Sequence, residues 1–424
     1  RRVVLVLLPT LAQPAFAPLN TLGLSPTPAA PAGATAAAAG AVYPSVIQSI
    51  IEAKLVGLGK VLMRIGPTPW ISALGVVGFL WVCWRRPLAV FLLPLLVLAV
   101  LGMKMGIRFT MFGGPMVALG LGVPLSWGVR RLPETWAGRA RLEPALQVLL
   151  GVLLLIPLAV RYADEPPTPV LSKPHAEALL ELADKAPAGA EVWTWWDWGY
   201  ATQFYARRMT PVDGGLHDGR HMYPVALALT TTSLRQANNL IRYAAAQGYD
   251  PAKAWDGMSG AAVRDLLDGL KNDTLETPGI PTQYLVAAWA NLGISEWITY
   301  FGSWDLVRGE GVRGRAERLS RAFRLDPRYG AVVFEDGSPS VAVSSVDLLD
   351  GGSYKHRDFF TNLSGPHLVL NKERREAFLL DDTVYYSTMV QLLVVDPSDP
   401  SVRRNFELVV DRSPYVRIYR VTGS

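Results

Sequence analysis

Polar and apolar positions divide this chain near residue 164. Upstream, four runs carry no charged side chain: residues 65–84, 87–103, 109–129 and 144–160. A helix that crosses a bilayer takes about 17–25 largely apolar residues, so each run predicts a span. Core helices of a soluble domain are also apolar, but four in near-succession make that the weaker reading. Residues 18–45 are rich in Ala, Pro and Gly and predict a flexible connection. The following "VYPSVIQSIIEAK" regains an amphipathic pattern. Downstream, residues 172–185, 223–247 and 260–271 predict helices, the first with Pro174 in its opening turn. "EVWTW" and "MTPVDGG" predict strands. After about residue 325, "YGAVVFED", "SVAVSSVDLL", "PHLVLN", "EAFLLDD", "MVQLLVVD", "NFELVVD" and "YVRIYRV" all read as strands. The expected fold class is a multi-spanning α-helical membrane region over residues 1–164, then a mixed α/β domain over 165–424 with a β-rich C-terminal portion. No internal repeat is visible.

Charge adds an orientation. Arg85 and Arg86 lie between the first two runs, and Arg130, Arg131, Arg139 and Arg141 between the last two. The positive-inside rule makes that side cytoplasmic. Residues 18–64, the turn "KMGIR" at 104–108 and everything after Arg161 then face outward. Lys104 and Arg108 become basic exceptions on the outer face, better candidates for function than for topology. The composition agrees: 50% hydrophobic and 18% charged, against about a quarter charged in soluble domains. The net charge of +5 is read as topology signal, not as nucleic-acid affinity. A single cysteine, Cys83, excludes a disulfide framework and a cysteine-based metal site. The opening "RRVVLVLLPTLAQPAFA" fits a signal peptide or the end of a helix whose start is missing. Pro18 after Ala15-Phe16-Ala17 favours truncation, with a partial span over residues 3–17.

The stretch "EVWTWWDWGY" (191–200) holds four of the 13 tryptophans around one acid, Asp197. As a strand it would send Trp193 and Trp195 to one face and Trp196 and Trp198 to the other. A core strand with an aromatic stripe is one reading, but an unpaired buried carboxylate is costly. An aromatic belt at a membrane surface is another. A recognition pocket is the third, in which indole N–H donors and a carboxylate acceptor converge on a small polar group such as a hydroxyl.

"WWDWG" (195–199) resembles the WWDYG signature of oligosaccharyltransferase catalytic subunits, with Trp198 in the tyrosine place. "VDGG" and the histidine after it, "SIIE" (49–52) and "GIRFT" (106–110) resemble further motifs of that family, in the same order. The single-chain bacterial enzymes of the PglB type, with a GT-C fold, are most similar. The resemblance implies transfer of a glycan from a polyprenyl-pyrophosphate lipid to the asparagine of an Asn-X-Ser/Thr sequon, at the periplasmic or outer face of the bacterial inner membrane. It implies that Trp195, Trp196 and Asp197 hold the sequon hydroxyl and that Ile294, in "NLGI", touches the threonine methyl. Asn291 stands in the methionine place of that Met-x-x-Ile motif. Arg64 corresponds to an arginine that reads an acid two positions before the asparagine; a membrane-interface arginine is the alternative.

Glu52 is the only acid in the first 133 residues. The resemblance implies that it engages the acceptor carboxamide, whose lone pair is delocalised. It also implies that Arg108, His217 and Tyr200 lie at the lipid pyrophosphate, and that a divalent cation, Mg or Mn, serves as cofactor. Glu52 alone cannot hold such an ion, so no metal ligand is assigned here. The main ligands are expected in a missing N-terminal part, and the chain by itself is expected to be inactive. Expected partners are the lipid-linked oligosaccharide, acceptor proteins and the bilayer, not nucleic acid. Rivals are a membrane-anchored carbohydrate-binding protein, another lipid-sugar transferase such as an O-mannosyltransferase, and a glycosidase needing two close carboxylates. Asn272-Asp273-Thr274 and Asn362-Leu363-Ser364 are sequons within the chain itself.

Overall fold

The computed structural model describes residues 40–50, 53, 55–131, 139–163, 169–248, 250–272, 277–351, 353–360 and 362–423. Two compact units emerge, residues 46–170 and residues up to 45 together with 171 onward.

The helical unit contains α1 (Leu58–Ile65), α2 (Pro69–Arg85), α3 (Leu93–Met105), α4 (Gly114–Arg130) and α5 (Arg139–Ala163). The run predicted as one span over 65–84 is broken at its start. Gly66 is extended, Pro67 disfavours helix in the residue before it, and the Thr68 hydroxyl caps α2 by accepting from the Ile71 N–H at 3.2 Å. The axes of α1 and α2 therefore differ by 80°. Three helical stretches, Pro87–Met105, Ile107–Arg130 and Glu143–Ala163, are long and apolar enough to cross a membrane, and α1 with α2 makes a fourth if the bent pair counts as one. No residue of the Glu143–Ala163 window is buried, and Trp70, Trp84 and Leu88 are largely exposed. Such surfaces suit lipid, where small residues let helices meet. A Cβ on Gly78 would strike the Gly120 carbonyl, and one on Gly120 would strike that of Gly75.

The α/β unit is built on a four-stranded sheet of order β1-β2-β12-β11. β1 (Glu191–Trp193) runs parallel to β2 (Gln283–Ala288), while β12 (Val416–Val421) is antiparallel to both β2 and β11 (Phe406–Arg412). Helix α6 (Lys173–Lys185) buries Ala178, Leu179 and Leu182 against Val192, Val286 and Ile418 of this sheet. The remaining helices of this unit that bear on the site are α7 (Gly199–Tyr205), α8 (Gly219–Thr230), α9 (Leu234–Ala246), α10 (Gly260–Gly269), α11 (Ser295–Gly302) and α12 (Thr388–Val394). The tail is completed by a five-stranded sheet, in the order β3 (Ala316–Arg318), β10 (Glu376–Leu380), β9 (His367–Asn371), β7 (Ser345–Asp350) and β8 (Ser353–Asp358), and by a three-stranded one of β4 (Phe323–Asp326), β5 (Ala331–Phe334) and β6 (Val341–Ala342).

Several sequence expectations need correction. "MVQLLVVD" forms helix α12, not a strand, and six of its seven residues are buried. A short run that is apolar all round carries no period to separate helix from strand. "MTPVDGG" is not a strand either. Only Met209 bridges to Glu191, after which the Asp213 carboxylate accepts from the Gly215 and Leu216 N–H groups and turns the chain. The helix predicted over 223–247 is two helices broken at 231–233, where Thr388 donates from N and Oγ1 to the Thr231 carbonyl. Within the connection predicted as flexible, residues 40–45 are docked: the Val42 N–H donates to the Leu306 carbonyl and its own carbonyl accepts from the Trp304 indole at 2.7 Å.

Candidate functional site

Chain geometry around the tryptophans departs from the expected strand. β1 ends at Trp193, whose indole N–H donates to Gln283 Oε1 at 2.9 Å. Residues Trp196–Trp198 then form a 3-10 turn that runs straight into α7. Gly199 makes this possible: a Cβ there would strike the Val212 carbonyl and lie 2.6 Å from the Asp213 Cα. The turn sorts the aromatic rings differently from a pleated strand. Trp195 and Trp198 are 1% and 6% exposed, Trp196 is half-buried, and Asp197 is exposed.

Each ring has a defined partner. Trp195 packs on Phe301 of α11 with centroids 6.0 Å apart, and its indole N–H donates to Asp197 Oδ2 at 3.0 Å. Trp196 stacks on His217, with centroids 4.8 Å apart and planes 15° apart. The His217 Nδ1 is buried and has no hydrogen-bond partner among the described residues. Tyr200 lies over Gly214, where a Cβ would come 2.6 Å from its ring, and Gly215 faces its hydroxyl. Nearby, burial pushes the Asp213 carboxyl up. The Gln203 amide, the Gly215 and Leu216 N–H groups and the charge of His217 outweigh that and hold it below its usual range. The turn thus presents an exposed carboxylate, oriented by a buried indole, beside an aromatic ring. That combination can accept a hydrogen bond from a hydroxyl while excluding water from one side.

Trp195, Trp196, Asp197, Tyr200 and His217 are therefore neighbours. Ile294 lies half-buried at the end of a 3-10 turn over Trp289–Ile294. That turn is joined to the tryptophan turn because the Trp198 indole donates to Asn291 Oδ1 at 2.8 Å. Arg64 ends α1, exposed, in the helical unit. Arg108, also exposed and in that unit, follows Gly106, a residue at φ +113°, and its guanidinium lies 5.4 Å from the Phe109 ring centre. Glu52 lies outside the described residues. Among the described residues no group of three or more His, Cys, Asp or Glu side chains can hold a metal ion.

Another constellation has the residue types of a hydrolase. Ser345 Oγ lies 2.7 Å from His367 Nδ1, and His367 Nε2 lies 3.1 Å from Asp382 Oδ1. Ser345 is only 1% exposed and His367 is stacked on Tyr385 at 3.7 Å, so the hydroxyl has no open face for a substrate.

Residues 189–308 match the STT3/PglB/AglB core domain. Undecaprenyl-diphosphooligosaccharide–protein glycotransferases from two strains of Campylobacter jejuni are each 30% identical over 199 residues, covering 47% of this chain and 28% of theirs. Dolichyl-phosphooligosaccharide–protein glycotransferase 2 of Pyrococcus furiosus is 20% identical over 323 residues, covering 74% of this chain and 36% of its own. The chain thus spans well under half the length of these relatives. Among solved structures, the C-terminal domain of C. jejuni PglB aligns with 58% of this chain and 99% of its own, at 21% identity and a TM-score of 0.45. The Archaeoglobus fulgidus oligosaccharyltransferase tethered to an acceptor peptide aligns with 96% of this chain and 43% of its own, at 12% identity and a TM-score of 0.43.

The tryptophan turn, His217, Asn291, Ile294 and Phe301 all fall within the core domain. Sequence reasoning missed two of its supports. His175 of α6 lies 5.5 Å from the Trp198 ring, and burial pulls its pKa down to about 4. Its position one turn before Ala178 and Leu179 placed it on the apolar face of α6, which was the available signal. Asn291 was legible only as a mismatch, not as the partner of Trp198.

Proposed function

We propose that this chain is part of an oligosaccharyltransferase that moves a glycan from a polyprenyl-pyrophosphate lipid to the asparagine of an Asn-X-Ser/Thr sequon. The observation that carries the reading is the exposed Asp197 carboxylate, oriented by the buried Trp195 indole and flanked by Trp196, within the core domain. The sequon hydroxyl donates to Asp197 against the Trp196 ring, and Ile294 meets the threonine methyl. This grip holds the acceptor carboxamide in place. Its nitrogen attacks the anomeric carbon of the sugar, a C–N bond forms, and the pyrophosphate leaves with the electrons of the broken C–O bond. The nitrogen then gives up a proton, which the departing pyrophosphate takes up. Glu52 would engage the carboxamide N–H groups. Arg108, His217 and Tyr200 would face the departing pyrophosphate, where positive charge stabilises the leaving group. Arg64 would read an acidic residue two positions before the asparagine. A divalent cation, Mg or Mn, would supply further charge; the described residues provide no ligand set for it, and no step is assigned to it. The location consistent with this chemistry is a bacterial inner membrane with the α/β unit on its outer face.

The test is glycan transfer to a sequon peptide by the full-length enzyme carrying Asp197→Ala. A hydrogen bond to a charged group contributes about 1.5–3 kcal/mol, which corresponds to roughly ten- to a hundredfold in peptide affinity. Unchanged transfer and peptide affinity in that variant would overturn the reading.

A further inference from the structure

Two residues of this chain depart from the family motifs it resembles: Trp198 stands in the tyrosine place of WWDYG, and Asn291 in the methionine place of Met-x-x-Ile. They meet in the fold. The Trp198 indole donates to Asn291 Oδ1 at 2.8 Å, with the two residues 6% and 1% exposed. The orientation of the amide follows from the donor, because only the oxygen of Asn291 can accept from an indole N–H. Each partner belongs to a short turn that carries a site residue. Trp198 closes the turn Trp196–Trp198 next to Asp197. Asn291 and Ile294 are three apart in the turn Trp289–Ile294, and in a 3-10 helix residues at that spacing lie above one another.

We propose that Asn291 is a positioning residue for acceptor selection: by holding the Trp198 indole it fixes the turn that presents Trp196 and Asp197 against the turn that presents Ile294. The inference rests on the proposed sequon site and deepens it. A core residue with no such role would alter stability alone. A positioning residue alters which hydroxyl is preferred, because the distance between Asp197 and Ile294 decides whether a threonine can satisfy both at once. A methionine at 291 would offer the indole only a weak sulfur acceptor, and leucine would offer none.

The experiment compares full-length wild type, Asn291→Leu, Trp198→Phe and the double variant on two peptides that differ only in Thr or Ser at the third sequon position. kcat, KM and thermal unfolding are measured for each. Wild type should favour threonine a few-fold. Each single variant should raise the acceptor KM about tenfold, with a smaller change in kcat, because the spacing of the two turns is no longer fixed; the unfolding midpoint should fall as well, since a buried donor or acceptor is orphaned. The Thr/Ser ratio should fall towards one in both. The double variant should be no worse than the poorer single, since both act through one bond. An unmoved Thr/Ser ratio in folded Asn291→Leu, or additive losses in the double variant, would overturn the proposal. Should Asn291→Leu not fold, Trp198→Phe decides by the same ratio. An active wild type with unmoved ratios removes only the role of Asn291; a wild type that transfers to neither peptide removes the sequon site itself.

Discussion

Two aromatic–acid clusters in the α/β unit use nearly the same residue types and end in opposite states. On the tryptophan turn, Asp197 is exposed, a buried indole orients it, and His217 stacks on a half-buried Trp196. In the β-rich tail, Asp347 is fully buried, its Oδ1 accepts from the Tyr354 hydroxyl at 2.6 Å and from His356 Nδ1 at 2.8 Å, and His367 is stacked on Tyr385. The first cluster keeps a carboxylate facing outward with its support behind it. The second turns one carboxylate oxygen onto a tyrosine and a histidine and buries the other. The same residue types thus sit in two different surroundings, one that leaves the carboxylate exposed and one that closes over it.

Substituting the two acids separates them most sharply. Asp347→Ala should cost stability by about 1–3 kcal/mol, because the Tyr354 hydroxyl and His356 lose their shared acceptor. Sequon-peptide affinity of the folded protein should stay at the wild-type value. Asp197→Ala should do the reverse, with an unfolding midpoint close to wild type and peptide affinity down by roughly ten- to a hundredfold. Calorimetry and peptide titration on both variants check the contrast.

The histidines sharpen it through pH. Hydrogen bonding to Asp347 holds the His356 pKa up to about 9 against its burial. The folded value exceeds the unfolded one, so His356 contributes stability that is complete below about pH 6.5 and is lost as pH rises through 9. His175 is opposite in sign, because burial pulls its pKa to about 4. Its contribution is present above about pH 6.5 and is lost as pH falls towards 4. Stability should therefore decline on both sides of neutrality. His356→Asn should flatten the alkaline limb and His175→Phe the acid limb, as read from unfolding midpoints across pH. The smallest expected effect is that of Ile294→Ala. One methyl contact is worth about 0.8 kcal/mol, so the few-fold Thr preference should disappear while serine-sequon affinity is retained.

Legibility in the sequence followed the length of each signal. The long uncharged runs reported helices directly, because nothing but a helix buries so many consecutive apolar residues in lipid. The break at Gly66-Pro67-Thr68 sat inside one of those runs and was hidden by its hydrophobicity. Short apolar stretches were ambiguous, as residues 388–394 demonstrate: a helix surrounded by protein shows no polar face. The tryptophan motif was conspicuous in the sequence, but its geometry was not legible there. Alternation suggested a strand, whereas the clearance at Gly199 that permits a turn depends on Val212 and Asp213, which no local pattern reveals. The Trp198–Asn291 bond joins positions 93 residues apart and was likewise out of reach.

The most direct measurement asks whether Asp197 reads a hydroxyl. Affinities of full-length wild type and Asp197→Ala are compared for two peptides carrying threonine or its near-isostere valine at the third sequon position. Wild type should favour threonine by at least about tenfold, and Asp197→Ala should bind both peptides equally weakly. If the variant keeps the wild-type preference for threonine over valine, the hydroxyl is read elsewhere and the assignment of this turn is wrong.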